Sequence, residues 1–157
     1  MGWRRCAECY IEEIWWPQDR DLLRHFAGPV TNTLLHSLCV SYRVARTIPG
    51  SGLAKYQPFV DMLNSHRETV LTKENTPEII EDELANMYKI FGKNILSAIT
   101  KALWMMKQHP VAIYDSYAWE GLRRLGLKPG YGGYRAYYEA WFKFFDCLLY
   151  TSPSPRD

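Results

Sequence analysis

Apolar residues in "TNTLLHSLCVSYRVART" return at Leu34, Leu35, Leu38, Tyr42 and Ala45. That spacing gathers them on one face of a helix and predicts about four turns, closed by the breaker "IPGSG". "LAKYQPFVDMLN" keeps the helical period and predicts a piece broken or started near Pro58. The clearest signals lie in "TPEIIEDELANMYKIFG". Thr76 is placed to cap, Pro77 suits the first helical position, and acids fill the first turns. Ile80, Leu84, Met87 and Phe91 then form an apolar stripe that Gly92 stops. "KNILSAITKALWMMKQHP" predicts a second helix almost at once, ended near Pro110. "VAIY" is a short apolar connector, and "DSYAWEGLRRLG" reads as a helix capped by Asp115 or Ser116 and ended by Gly126. After the loop "KPGYGG", "YRAYYEAWFKFFD" predicts a final helix. No stretch alternates with the period of a strand and no repeat occurs, so the expected fold is all-α.

That last helix runs into "CLLYTSPSPRD", Cys147 to Asp157, which suits neither a helix cap nor a core. The eleven residues match, in order, one reading frame of the transposase adaptor used in tagmentation sequencing libraries. The expected organisation is therefore a single helical domain over 1–146, truncated at its C-terminus, with 147–157 derived from the adaptor. The third base of the codon for Asp146 falls at the junction, so Glu is an alternative there.

Residues 1–146 are long enough for one domain with a sizeable core. No apolar run approaches the roughly 18 residues of a membrane span. "MGWRRCAECY" has two arginines with no apolar stretch behind them, so neither a membrane nor a secretory signal is expected. Without Cys147 three cysteines remain, which fits a reducing cytoplasm better than a disulfide framework. Cys6 and Cys9 form a C-x-x-C pair, half of a tetrahedral zinc site. His25, His36 and Cys39 stand at no recognised spacing from it, so no metal is expected.

Charge is uneven along the chain. Residues 61–90 hold seven acids against three bases, a net of −4. Residues 91–135 hold seven bases (Lys93, Lys101, Lys107, Arg123, Arg124, Lys128 and Arg135) against Asp115 and Glu120, a net of +5. Such a segment suits an anionic partner such as nucleic acid, and equally the solvated faces of ordinary helices.

The stretch "SAITKALWMMKQHPVAIYDSYAWEGLRRLG" carries the candidate chemistry. It joins a helix to a Pro-containing connector and then to Asp115 at the head of another helix. Residues 76–126 resemble the core of the helix-hairpin-helix DNA glycosylase superfamily, in its 8-oxoguanine and adenine branches. "KALWMMKQHPVAIYDS" is closest to uncharacterised bacterial proteins with an 8-oxoguanine glycosylase fold. The resemblance implies a single orthogonal helical domain, a hairpin at "IFGKNIL" and Asp115 in the catalytic place. It implies double-stranded DNA as partner, with Lys93, Lys107, Arg123, Arg124, Lys128 and Arg135 toward the phosphates. The lysine of lyase-competent members falls at Ser97, eighteen residues before Asp115, as in monofunctional members; Lys101, one turn on, is the lysine that could stand in. Trp104, Tyr114, Tyr117 and Trp119 flank the site and would line a base pocket. The usual L-P-G-h-G hairpin is reduced here to Gly92, and the iron–sulfur cysteines of some members are absent from these residues, so no cofactor is expected.

An Asp opening a helix also has a plain role as N-cap, and the tryptophans at helical spacing also suit a core. His109 has an equally plain place at a helix C-terminus. Gly130, Gly132 and Gly133 precede a helix and could offer amides to a phosphate, but no strand precedes them and the nucleotide-fold fingerprint fails. Two functions follow: monofunctional hydrolysis of an N-glycosidic bond at a damaged or mispaired base, or a non-catalytic interaction or accessory module of the same fold.

Overall fold

The computed structural model describes residues 18–127 and 133–151, with side chains as far as Cys147. Among them are seven α-helices and no strand: α1 Arg20–Phe26, α2 Asn32–Ser41, α3 Gln57–Ser65, α4 Thr76–Phe91, α5 Leu96–Lys107, α6 Ser116–Arg124 and α7 Gly133–Thr151. The chain is all-α, as its apolar periodicity predicts. No helix among the described residues is long and apolar enough to cross a membrane. Cys6, Cys9, Lys128, Gly130 and Gly132 lie outside the described residues.

The central element is α5. Leu96, Ala98, Ile99, Thr100, Lys101, Ala102, Leu103 and Met105 are all buried, so this helix is enclosed on most of its circumference. It packs against α1, α2 and α4, while α7 lies across α4 and α6. Phe26, Leu35, Leu38, Phe59, Leu63 and Ile80 complete the core around it, each fully buried. Truncating a side chain of this kind, such as Leu103→Ala, costs about 2–5 kcal/mol.

Local signals set most boundaries. Thr31 caps α2, its hydroxyl accepting from Leu34 N at 3.2 Å. That helix is shorter than its periodicity predicts and stops at Ser41. Arg43 takes a left-handed conformation (φ 56°), and Val44 N bonds back to Cys39 O at 2.8 Å. This six-to-one closure ends a helix and here swings Val44 and Ile48 into the core. Asn64 of α3 grips the loop before α2 through both Val30 N and Val30 O, at 2.9 and 3.0 Å. A 3-10 turn, Leu53–Tyr56, leads into α3, and Pro58 sits in the first turn of that helix.

At α4 the start differs from expectation by one residue. Thr76 is already helical and fully buried, and its hydroxyl donates to Thr72 O at 2.6 Å instead of capping. Asn75 holds the preceding turn, accepting from Thr72 N at 2.8 Å. The other end is as read. Gly92 closes α4 at φ 62°, a left-handed position that glycine takes without strain. Two residues later Asn94 Oδ1 accepts from Leu96 N at 2.9 Å and starts α5. The result is a tight α4–α5 hairpin. Residues 147–151 continue α7.

Candidate functional site

After α5 the chain must cross the core as an extended segment, and extended backbone with no neighbouring strand needs other hydrogen-bond partners. Side chains supply them. Gln108 turns the chain at φ 56°, the His109–Pro110 peptide is cis, and Val111 to Tyr114 then run between α5 and α7. Tyr134 Oη donates to Ala112 O at 2.8 Å and accepts from Ala112 N at 3.2 Å. Tyr137 Oη donates to Ile113 O at 2.6 Å, and Tyr114 N donates to Thr100 Oγ1 at 3.0 Å. Burial pushes both tyrosine hydroxyls well up, and at Tyr137 the nearby Asp115 carboxylate adds to it. Both therefore remain hydrogen-bond donors at neutral pH.

This clamped connector delivers Asp115 to the head of α6. Its backbone is extended (φ −152°, ψ 171°), and Oδ1 accepts from Ala118 N at 2.8 Å, so the carboxylate is the N-cap. The cap uses one oxygen. Oδ2 lies 3.6 Å from Lys101 Nζ, whose ammonium also donates to Ser97 Oγ at 3.1 Å. The Lys101 side chain is 10% exposed and that of Asp115 30%, so the pair opens to solvent from the carboxylate side. Ser97, Lys101 and Asp115 thus form one connected group. Counting back from Asp115 reaches Ser97, but the lysine facing the carboxylate is the one a turn later.

The four aromatics expected around Asp115 have different surroundings. Tyr114 packs edge-on against Tyr137, with centroids 4.9 Å apart. Tyr117 is 88% exposed, because the first turn of α6 points it away from the core. Trp119 is partly buried beneath the Arg123 guanidinium, 5.8 Å from its ring. Trp104 lines a cavity of about 560 Å³ with His109, Val111, Ile113, Trp141, Phe142 and Phe145. Three of those walls come from the last helix, which carries no local signal for a cavity.

Several cations expected toward phosphates have partners within the protein. Arg123 and Arg124 each place Nε 3.0 Å from a different oxygen of Glu120, and these bonds hold the Glu120 carboxyl below its usual range. Arg135 lies 3.9 Å from Glu81 Oε2, and its backbone N bonds to Glu81 Oε1 at 2.8 Å. Lys107 donates to Arg67 O. Lys93 is exposed in the α4–α5 hairpin. Counting cations along the chain therefore overstates the free positive charge.

Cys39 is buried and its thiol is pushed up to about 12, chiefly by burial, which leaves it protonated and unreactive at neutral pH. No group of three or more metal-ligating side chains occurs among the described residues. No protein-family model matches the chain, and neither curated proteins nor solved structures contain a significant match. The functional reading rests on the site itself.

Proposed function

We propose that this chain is a DNA-binding protein of the helix-hairpin-helix glycosylase fold, acting in N-glycosidic hydrolysis of a damaged or mispaired base with Asp115 as the working carboxylate. The observation that carries this reading is the second oxygen of Asp115. A helix cap accounts for Oδ1, whereas Oδ2 faces a lysine buried in the central helix of the core. Burying a lysine is costly, and an apolar side chain would fill the same space at less cost. The arrangement suits chemistry in which positive charge develops on a sugar. The carboxylate stabilises that charge or activates water, and the Lys101 ammonium and the Ala118 amide fix its orientation. The hairpin closed by Gly92, followed by the connector and Asp115, agrees with the resemblance.

Asp115→Asn keeps the shape and the cap acceptor but removes the charge. On duplexes carrying single damaged bases it is expected to slow base release by about 10²–10⁴-fold, the usual worth of a general acid–base group. Equal release by the variant and the parent protein would sink the assignment. The pairing of Arg123, Arg124 and Arg135 with acids favours a second reading, a non-catalytic interaction or accessory module of this fold. Absence of both base release and salt-sensitive DNA binding would select it, and salt-sensitive binding without release would leave a DNA-binding relative without the chemistry.

A further inference from the structure

Lys101 has a third neighbour that the cap and the hairpin do not explain. Its ammonium has three donors, and Ser97 and Asp115 lie on two sides of it. The ring of Tyr42 lies on another, with its centroid 5.7 Å from Nζ. Tyr42 follows directly on α2, where the left-handed Arg43 turns the chain. Its hydroxyl donates to Asp19 Oδ1 at 2.8 Å, and Asp19 is 1% exposed in the turn leading into α1. A carboxylate at that depth needs polar partners, and Tyr42 is one.

We infer that Asp19 and Tyr42 are positioning residues for Lys101, and through it for the free oxygen of Asp115. Asp19 fixes the direction of the Tyr42 ring, and the ring face attracts the ammonium. Three groups thereby surround one amine: Ser97 on the same helix, Asp115 from the head of α6, and Tyr42 from the end of α2, with Asp19 behind Tyr42. The catalytic meaning of this arrangement rests on the reading of Asp115 above, but the arrangement has a readout that needs no substrate.

The full chain is treated with formaldehyde and cyanoborohydride at one pH, and methylation of Lys101 is read by peptide mass, with exposed Lys93 as the internal standard. The ring face holds the amine in place, so removing it leaves the amine freer to react. In Tyr42→Leu the labelling of Lys101 relative to Lys93 is expected to rise about two- to fivefold. Tyr42→Phe keeps the ring and stays close to the parent protein. Asp19→Asn leaves an acceptor for the hydroxyl and raises the ratio by less, which covers the case of a Tyr42→Leu chain that does not fold. Loosened packing alone would raise the labelling of part-buried Lys107 as well.

Base release from a duplex carrying one 8-oxoguanine is measured alongside on the parent protein. An unchanged Lys101 ratio, or one that rises together with Lys107, overturns the positioning role whether or not base is released. A raised ratio at Lys101 alone with no release keeps the positioning role and counts against the glycosylase reading. A raised ratio at Lys101 alone with release supports both.

Discussion

The interior of α5 and the outer face of α6 both join cations to carboxylates, and they do so to different ends. On α6, Arg123 and Arg124 share Glu120 within one and a half turns of exposed helix. Pairs of this kind are local and screened by solvent, and contribute little to stability. At α5, Lys101 is buried and its carboxylate partner arrives from fourteen residues further on, after a connector held by tyrosines of α7. The contact therefore depends on α5, the head of α6 and the tyrosines of α7 together. The contrast separates a contact built across the core from pairs formed within one exposed helix.

The largest effect on stability is expected from breaking the interior contact on one side. Asp115→Ala removes the cap and leaves the Lys101 ammonium without its carboxylate, a loss of roughly 3 kcal/mol in denaturant unfolding. Lys101→Met keeps the stem and removes the charge, leaving a carboxylate with access to water; its unfolding free energy is expected within about 1 kcal/mol of the parent. Equal losses in the two variants would mean that the pair is not the organised contact described here. Next comes the connector. Tyr134→Phe strands the N–H and C=O of Ala112, and about 1–3 kcal/mol should be lost. An unchanged midpoint would show that the clamp does not hold the segment.

The smallest effect belongs to the outer face. Glu120→Gln releases Arg123 and Arg124, so the unfolding midpoint should stay put while DNA affinity at low salt rises and its salt dependence steepens. Acid probes the same contact. The Glu120 carboxyl is lowered by its arginines, so their pairing is intact above the usual carboxylate range and is lost as pH falls through the lowered value. Chemical shifts of the Arg123 and Arg124 side chains should therefore move at a pH below that of an ordinary glutamate. Coincidence with an ordinary glutamate would break the pairing.

Much of the helical layout was legible because its signals are local. Pro77, the stripe Ile80–Leu84–Met87–Phe91 and Gly92 mark α4 within a residue, and Asp115 marks the start of α6. The early end of α2 was not legible, since a left-handed arginine has no sequence signature comparable to glycine. Asp115 and Lys101 could be named from their positions, but their contact could not, because it depends on how the connector crosses the core. Tyr134 and Tyr137 were missed for the same reason: they serve backbone groups 22 and 24 residues away. Their spacing of three along one helix face is the signal that was present. The pairing of Arg135 was not legible either, because Glu81 lies 54 residues from that arginine.

The central claim is that Lys101 and Asp115 act as one unit. A double-mutant cycle in single-turnover base release tests it most directly, using Asp115→Asn, Lys101→Met and the two combined. The predicted result is that the double variant is no slower than the slower single one, since either change already breaks the unit. Losses that simply multiply, or no release from the parent protein at all, would contradict the account.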